Sequence, residues 1–329
     1  MPPTPLSRYA RVAVAAWDAT CAAGDARAAW SACRDGAPAL IHDDAIGWHG
    51  RVGGDALALA EQASRTPWAA IARRDGALAF ACADSKGDIA GLTAALAGAP
   101  ARLPAALPGM LSLRLASRLG IGIHLPCPTA AACSTGLYAL LDAADLIERG
   151  TATRALIGAA DASLDAPWLM AGFAALGVTC GDRRPSAFAG DDTGFAPAAG
   201  AGMLALADIG PWRLVAGVRL GDAGHATRFA DPRTLAGALE ALWAAAPAPD
   251  LVVTHGTGTA QGDAYERTAL DAGPWAAAAR LTCKPVIGHC LGASAAVELA
   301  LALEAPARRL WKIGLGFGGH LAAVALERT

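Results

Sequence analysis

The strongest constraint on this chain is an alternation of strand-like and helix-like segments that occurs twice along its length. In the first half, an apolar run at 11–16 precedes a helical stretch at 25–33 that ends at Asp35-Gly36. Helical patterns follow at 57–64, 88–97 and 111–120, the last closed by Gly120. Residues 121–131 read as extended and apolar, and 137–149 as a helix with Leu137, Leu140, Leu141 and Ala144 on one face and Gly150 at its end. A buried strand is expected at 154–158 and another at 203–207. The turn Asp208-Ile209-Gly210-Pro211 then joins the halves. The second half repeats the plan. Strands fall at 214–220, 251–254, near Leu281 and at 321–326, and helices at 233–245, 264–270 and 293–304. Such alternation predicts an α/β protein with helices covering its sheets. The rest of 38–110, rich in Ala, Gly and Pro, yields no assignment.

Composition narrows the function classes. Hydrophobic residues make up 54% of the 329, so a sizeable core is available. A membrane helix needs about 18 or more predominantly apolar residues. The longest stretch without acidic or basic side chains, Leu119 to Leu141, is broken by His124, two prolines and several hydroxyls. Met1 to Val14 shows no basic segment leading into a signal core, so a soluble intracellular protein is expected. The net charge is −2 with no basic stripe, which argues against nucleic acid but leaves room for a small Arg patch facing an acidic partner. Among 27 basic residues only Lys86, Lys284 and Lys312 are lysines, which raises the question of what each does. The eight cysteines form no CxxC pair and no short-spaced framework, so reduced thiols are expected and no metal site.

Four segments carry chemistry. In Ala130-Ala131-Ala132-Cys133-Ser134-Thr135-Gly136, a cysteine stands where an extended segment turns into a helix. A helix N-terminus favours negative charge, so a lowered thiol pKa is expected there. In Thr254-His255-Gly256-Thr257-Gly258-Thr259, a histidine ends a hydrophobic strand and is followed by Asp263 and Glu266. In Lys284-Pro285-Val286-Ile287-Gly288-His289, a second histidine precedes a helix, and the apolar surroundings of Lys284 require an acidic partner, for which Glu266 is a candidate. The run Gly314-Leu315-Gly316-Phe317-Gly318-Gly319 precedes a strand, not a helix, so it fits a mobile or closely approached backbone better than a dinucleotide loop. Taken alone, each segment has a plainer reading: a core cysteine, or a histidine on a surface turn.

Together, in this order, one Cys and two His segments form a coherent set. A thiolate can take an acyl group from a thioester, and two imidazoles can stabilise an enolate formed by loss of CO2. These segments resemble the β-ketoacyl-ACP synthases, the elongating condensing enzymes of fatty-acid and type II polyketide synthesis. The resemblance runs through Ala131 to Gly136, His255 to Thr259 with Asp263 and Glu266, Lys284 to His289, and Gly316 to Gly319, with fainter echoes at Asp222 to His225 and from Pro185 to Gly202. It implies a thiolase-like five-layer αβαβα sandwich of two similar halves, divided here as residues 1–209, carrying the nucleophile, and 210–329, carrying the histidines. It implies Cys133 as the acylated nucleophile, His255 and His289 as the decarboxylating pair, and Lys284 paired to Glu266. The N–H groups of Cys133 and Phe317 would form the oxyanion hole, Phe317 would gate the site, and Asp263, Thr257 and Thr259 would support it. It implies no cofactor, substrates on the phosphopantetheine arm of an acyl carrier protein, a homodimer or a heterodimer with a second ketosynthase, and a cytoplasmic location. The chain departs from the family in its shortness, in His320-Leu321 after the glycine motif, and in Ala199 where relatives carry Glu. The resemblance leaves open a partner subunit akin to a chain-length factor, and an acyltransferase or thioesterase using the same cysteine.

Overall fold

The computed structural model describes residues 4–329; the first three residues of the Met1–Val14 stretch lie outside it. The strands are β1 (Leu6–Arg8), β2 (Ala13–Thr20), β3 (Ile41–Asp43), β4 (Gly47–His49), β5 (Leu78–Ala83), β6 (Leu125–Pro126), β7 (Arg154–Asp161), β8 (Gly200–Ala207), β9 (Trp212–Gly221), β10 (Leu251–Val253), β11 (Ala279–Leu281), β12 (Arg309–Gly316) and β13 (His320–Arg328). The helices are α1 (Ala26–Asp35), α2 (Ala56–Ile71), α3 (Ile89–Leu96), α4 (Leu103–Ala106), α5 (Met110–Arg118), α6 (Thr135–Glu148), α7 (Pro167–Ala175), α8 (Thr234–Ala245), α9 (Ala260–Asp271), α10 (Lys284–Ile287) and α11 (Ser294–Ala302).

The two halves share one strand order. The first runs β6-β5-β7-β8-β2 and the second β11-β10-β12-β13-β9, so each reads third, second, fourth, fifth, first. Directions match as well: β5 is parallel to β6 and β7, and β10 to β11 and β12, while the last two pairings of each half are antiparallel. The sheets join where Ala13 and Val14 pair with Arg213 and Trp212.

Side chains on successive strand residues point to opposite faces. Accordingly Ile157, Leu204 and Val324 enter a central core with α6 and α11. Leu156, Met203 and Ala205 face an outer layer with α2 and α5. Ala323 and Ala325 face the other outer layer with α8 and α9. The result is five layers, αβαβα. All nine residues of α11 are buried, so this helix has no solvent face. Small residues let the central layer close. A Cβ on Gly136 would meet Ala296 N at 2.8 Å, and one on Gly202 would meet the backbone of Ala296 and Val297 at 2.4 Å.

The stop read at Asp35-Gly36 holds, with Gly36 closing α1 at φ 61°, while Asp25, the first residue of the expected helix, is its cap and accepts from Ala28 N. Several expectations do not. The extended reading of 121–131 shrinks to the two-residue β6, because Pro126 and Pro128 remove ladder donors. The glycine run is not a loop: Gly314 and Gly316 belong to β12, and only 317–319 make the turn to β13. The Ala-rich β5 was not legible because all six of its residues are buried, so it shows no alternation. Helix α9 starts at Ala260, which brings Asp263 into its first turn.

Because the atoms opposing Gly202 are backbone, they cannot move aside. Gly202→Ala is expected to cost about 1–3 kcal/mol of stability. Gly172→Ala, on α7 with nothing within 4 Å, should match or slightly exceed wild type. Urea unfolding midpoints of the two variants test this.

Candidate active site

The cysteine sits on a strained turn. Residues 132–134 form one 3₁₀ turn before α6, and Ala132 just before Cys133 has φ 47°, a left-handed conformation costly for a residue with a Cβ. Hydroxyls pin the turn: Ser134 Oγ donates to Ala131 O at 2.7 Å, and Thr135 Oγ1 donates to Ala132 O at 2.7 Å while accepting from Ala131 N at 2.8 Å. Of the eight cysteines only Cys133 is not fully buried. The β12 end lies against this turn, since a Cβ on Gly316 would meet Ala131 O at 2.5 Å and Cys133 N at 3.2 Å. That contact places Phe317 beside the turn that carries the thiol. The expected drop in thiol pKa is not found. Burial pushes the Cys133 thiol up to about 11, against the opposing charges of Lys284 and Lys86. Desolvation of a thiolate outweighs the one-turn helix end.

His255 follows β10, and its backbone is clamped. Glu266 on α9 accepts from His255 N at 2.6 Å and from Gly256 N at 2.8 Å. Asp263 accepts from Gly258 N at 3.0 Å and from Phe188 N at 2.5 Å, and the Thr257 and Thr259 hydroxyls meet at 3.0 Å. Asp263 and Glu266 thus build the loop, and both carboxyls are pushed up by burial against the N–H groups that hold them.

Lys284 does not pair with Glu266. Its Nζ lies 2.7 Å from Glu298 Oε1, an ion contact with a residue of α11, and it donates to the His255 carbonyl. Glu266 spends its oxygens on backbone donors, so the ammonium turns to the other buried carboxylate. Nζ also faces His255 Nδ1 at 3.4 Å. An ammonium only donates, so Nδ1 is the acceptor there and the ring proton sits on Nε2.

His289 is fixed by Ser294 Oγ at 2.6 Å from its Nδ1, by its own N donating to Ala196 O at 2.7 Å, and by the edge-on ring of Phe195 at 4.7 Å. The two imidazoles are 5.8 Å apart and nearly perpendicular. Both are buried, and both pKa values fall well below the usual 6.5, first through desolvation and then through Lys284. The pair is therefore neutral at neutral pH, able to donate hydrogen bonds or accept a proton.

Sequence reading missed three participants. Glu298 was hidden inside an apolar helix. Lys312 stood out only as a rare lysine; fully buried on β12, it donates to Glu298 Oε2 at 2.6 Å. Lys86 pairs with buried Asp161 and acts on the Cys133 thiol. All three lysines therefore serve this region, an outcome their scarcity hinted at. Asp161 also lines a cavity of about 440 Å³ with Asp84, Leu111 and Arg114; Cys133, His255 and His289 do not line it. Among the described residues no group of His, Cys, Asp or Glu is placed to hold a metal ion, and no helix is long and apolar enough to cross a membrane.

Two neutral imidazoles 5.8 Å apart suit stabilisation of a carbonyl-derived anion, and Lys284 acts on both of them and on the Cys133 thiol. Family models decide the lineage: residues 81–208 match the beta-ketoacyl synthase N-terminal domain and residues 215–311 its C-terminal domain, together more than half of the chain. The chain belongs to the beta-ketoacyl synthase family. Solved structures carry the same synthase fold. One, described as a type II polyketide acyl carrier protein in complex with its ketosynthase bound to the hexaketide, matches with a TM-score of 0.86 at 21% identity, covering 98% of this chain and 100% of that one. The ishigamide ketosynthase/chain length factor matches with 0.85 at 20% identity, and a beta-ketoacyl synthase from Burkholderia phymatum STM815 with 0.84 at 20%, each over the same shares. No curated protein matches this chain.

The depressed imidazoles give stability a definite pH dependence. The unfolded chain binds protons at His255 and His289 near pH 6.5, while the folded chain does so only at much lower pH. Stability is therefore full above 6.5 and falls as pH drops, by about 1.4 kcal/mol per pH unit for each histidine. Urea midpoints between pH 7.5 and 5 should show this slope, and it should be about halved in His289→Asn.

Proposed function

We propose that this synthase catalyses decarboxylative condensation of an acyl group held on Cys133 with a malonyl thioester, both delivered by an acyl carrier protein. The observation that supports this reading is Lys284, whose charge acts on the Cys133 thiol of the first half and on both neutral imidazoles of the second, themselves 5.8 Å apart. In the first step Cys133 attacks an acyl thioester. The thiol proton passes to the departing carrier thiol, and the acyl group remains on sulfur. In the second, His255 and His289 donate to the malonyl thioester carbonyl, the C–C bond to the carboxylate breaks, and CO2 leaves behind an enolate. The enolate carbon attacks the acyl-cysteine, the carbon–sulfur bond breaks, a β-ketoacyl thioester forms, and the released thiolate takes a proton from solvent. The N–H groups of Cys133 and Phe317 hold the tetrahedral oxyanion, and Phe317 gates entry. The resting thiol, being largely protonated, gives up its proton during attack.

The synthase acts in the cytoplasm as a dimer and divides between residues 209 and 210. Two similar structures are ketosynthases solved with chain-length factors, which favours a heterodimer as the second reading. Co-purification with a co-encoded ketosynthase decides it. An acyltransferase or thioesterase reading requires only one histidine.

Intact-mass measurement with acyl-carrier thioester should show a covalent adduct in wild type and none in Cys133→Ala. Malonyl decarboxylation should fall by about 10² or more when His255 and His289 are both replaced by Ala. Decarboxylation that survives the double replacement contradicts this mechanism.

A further inference from the structure

Lys312 has no part in the steps above, yet it is the most fully buried cation among the described residues, with no measurable exposure. An ammonium has three donors. Here all three are used: on Glu298 Oε2 at 2.6 Å, on Thr254 O at 3.0 Å and on Ile313 O at 2.7 Å. Thr254 is the residue before His255. The His255 carbonyl is held in turn by Lys284, which contacts the other oxygen of the same Glu298 carboxylate. A closed ring results: Thr254 carbonyl, Lys312, Glu298, Lys284, His255 carbonyl, and the peptide joining 255 to 254. On the opposite side Glu266 takes the N–H groups of His255 and Gly256. The backbone at His255 is thus fixed through its acceptors by two lysines and through its donors by one carboxylate.

Stability alone does not call for such a ring, since buried ionic groups are often replaced by well-packed apolar residues at no cost. We propose that Lys312 is a positioning residue for His255. By occupying one oxygen of Glu298 it confines Lys284 to the other, which keeps the Lys284 ammonium against His255 Nδ1 and the imidazole proton on Nε2. Without Lys312, Glu298 can turn both oxygens to Lys284, the Thr254 carbonyl loses its donor, and His255 loses its orientation. The inference rests on the condensing role proposed above. The charges acting on the Cys133 thiol are those of Lys284, Lys86, Asp161 and Glu298, whereas Lys312 acts on both histidines. The three donor contacts of Lys312 all lie on the His255 side, to Thr254, Glu298 and Ile313, and none is to the Cys133 turn, so its loss is expected to weigh on decarboxylation more than on acylation.

The test compares full-length wild type with Lys312→Met. The turnover of malonyl-carrier decarboxylation is expected to fall about tenfold or more, because small misplacements of a reacting group are costly, while KM stays within about twofold. Alkylation of Cys133 by iodoacetamide should also stay within about twofold of wild type. Unchanged decarboxylation, or a parallel fall in both reactions, overturns the proposal, the second outcome being the mark of a general structural role. Should Lys312→Met fail to fold, Lys312→Gln keeps a neutral donor toward Glu298 and should show the same split in smaller measure. An independent reading uses nitrogen-15 histidine spectra without substrate. His255 should be a single Nε2–H tautomer in wild type and a mixture in the variant, and an unchanged signature overturns the proposal. A wild type without decarboxylation would defeat the condensing role, and the spectra would still decide the role of Lys312.

Discussion

One buried carboxylate organises the polar interior. Glu298 lies on α11, a helix otherwise built of apolar and small residues, and has almost no exposure. Placing it there costs several kcal/mol of desolvation, which only close cations can offset. It receives two, Lys284 from α10 and Lys312 from β12, one on each oxygen. Both ammoniums also hold carbonyls next to His255. The central helix, the middle strand of the second sheet and both histidine-bearing segments are thereby tied to one group, and each is placed by the others. The balance is completed by Glu266, whose buried charge faces the same lysines.

The two halves repeat a strand order, and they also repeat a turn. Ala132 and Leu291 are both non-glycine residues in the left-handed region, each opening a 3₁₀ turn that leads into a central helix. In register, Cys133 of the first half corresponds to Gly292 of the second. A Cβ on Gly292 would meet Ser85 Oγ at 2.7 Å, so the second turn has no room for a side chain. Packing has left one of two equivalent positions able to carry a nucleophile. The other turn instead sets the start of α11, where Ser294 reaches back to His289.

Local rules read well where local interactions dominate. The caps of α1, the amphipathic face of α6 and the turn between β8 and β9 are all settled by neighbours a few residues apart. The motif residues Cys133, His255, His289 and Asp263 stand out for the same reason, since each sits at or near the end of a recognisable element, whereas Glu266 lies inside α9. Strands buried on both faces were harder. In β5 and β12 small and apolar residues follow one another without alternation, which removes the period that marks a strand.

The sequence by itself determined the alternation of elements, the order of the chemical segments and the scarcity of lysine. Only the tertiary structure decided which charges pair. Lys284 and Glu298 are 14 residues apart on different helices, and Lys312 meets Glu298 across the same distance from a strand. Sequence makes Glu266 a plausible partner, but its oxygens are occupied by the backbone donors of His255 and Gly256, an arrangement no spacing rule contains. The thiol shows the same division. A helix start after Cys133 is a local fact and argues for a thiolate. Desolvation by layers drawn from the whole chain outweighs that local pull and keeps the thiol protonated.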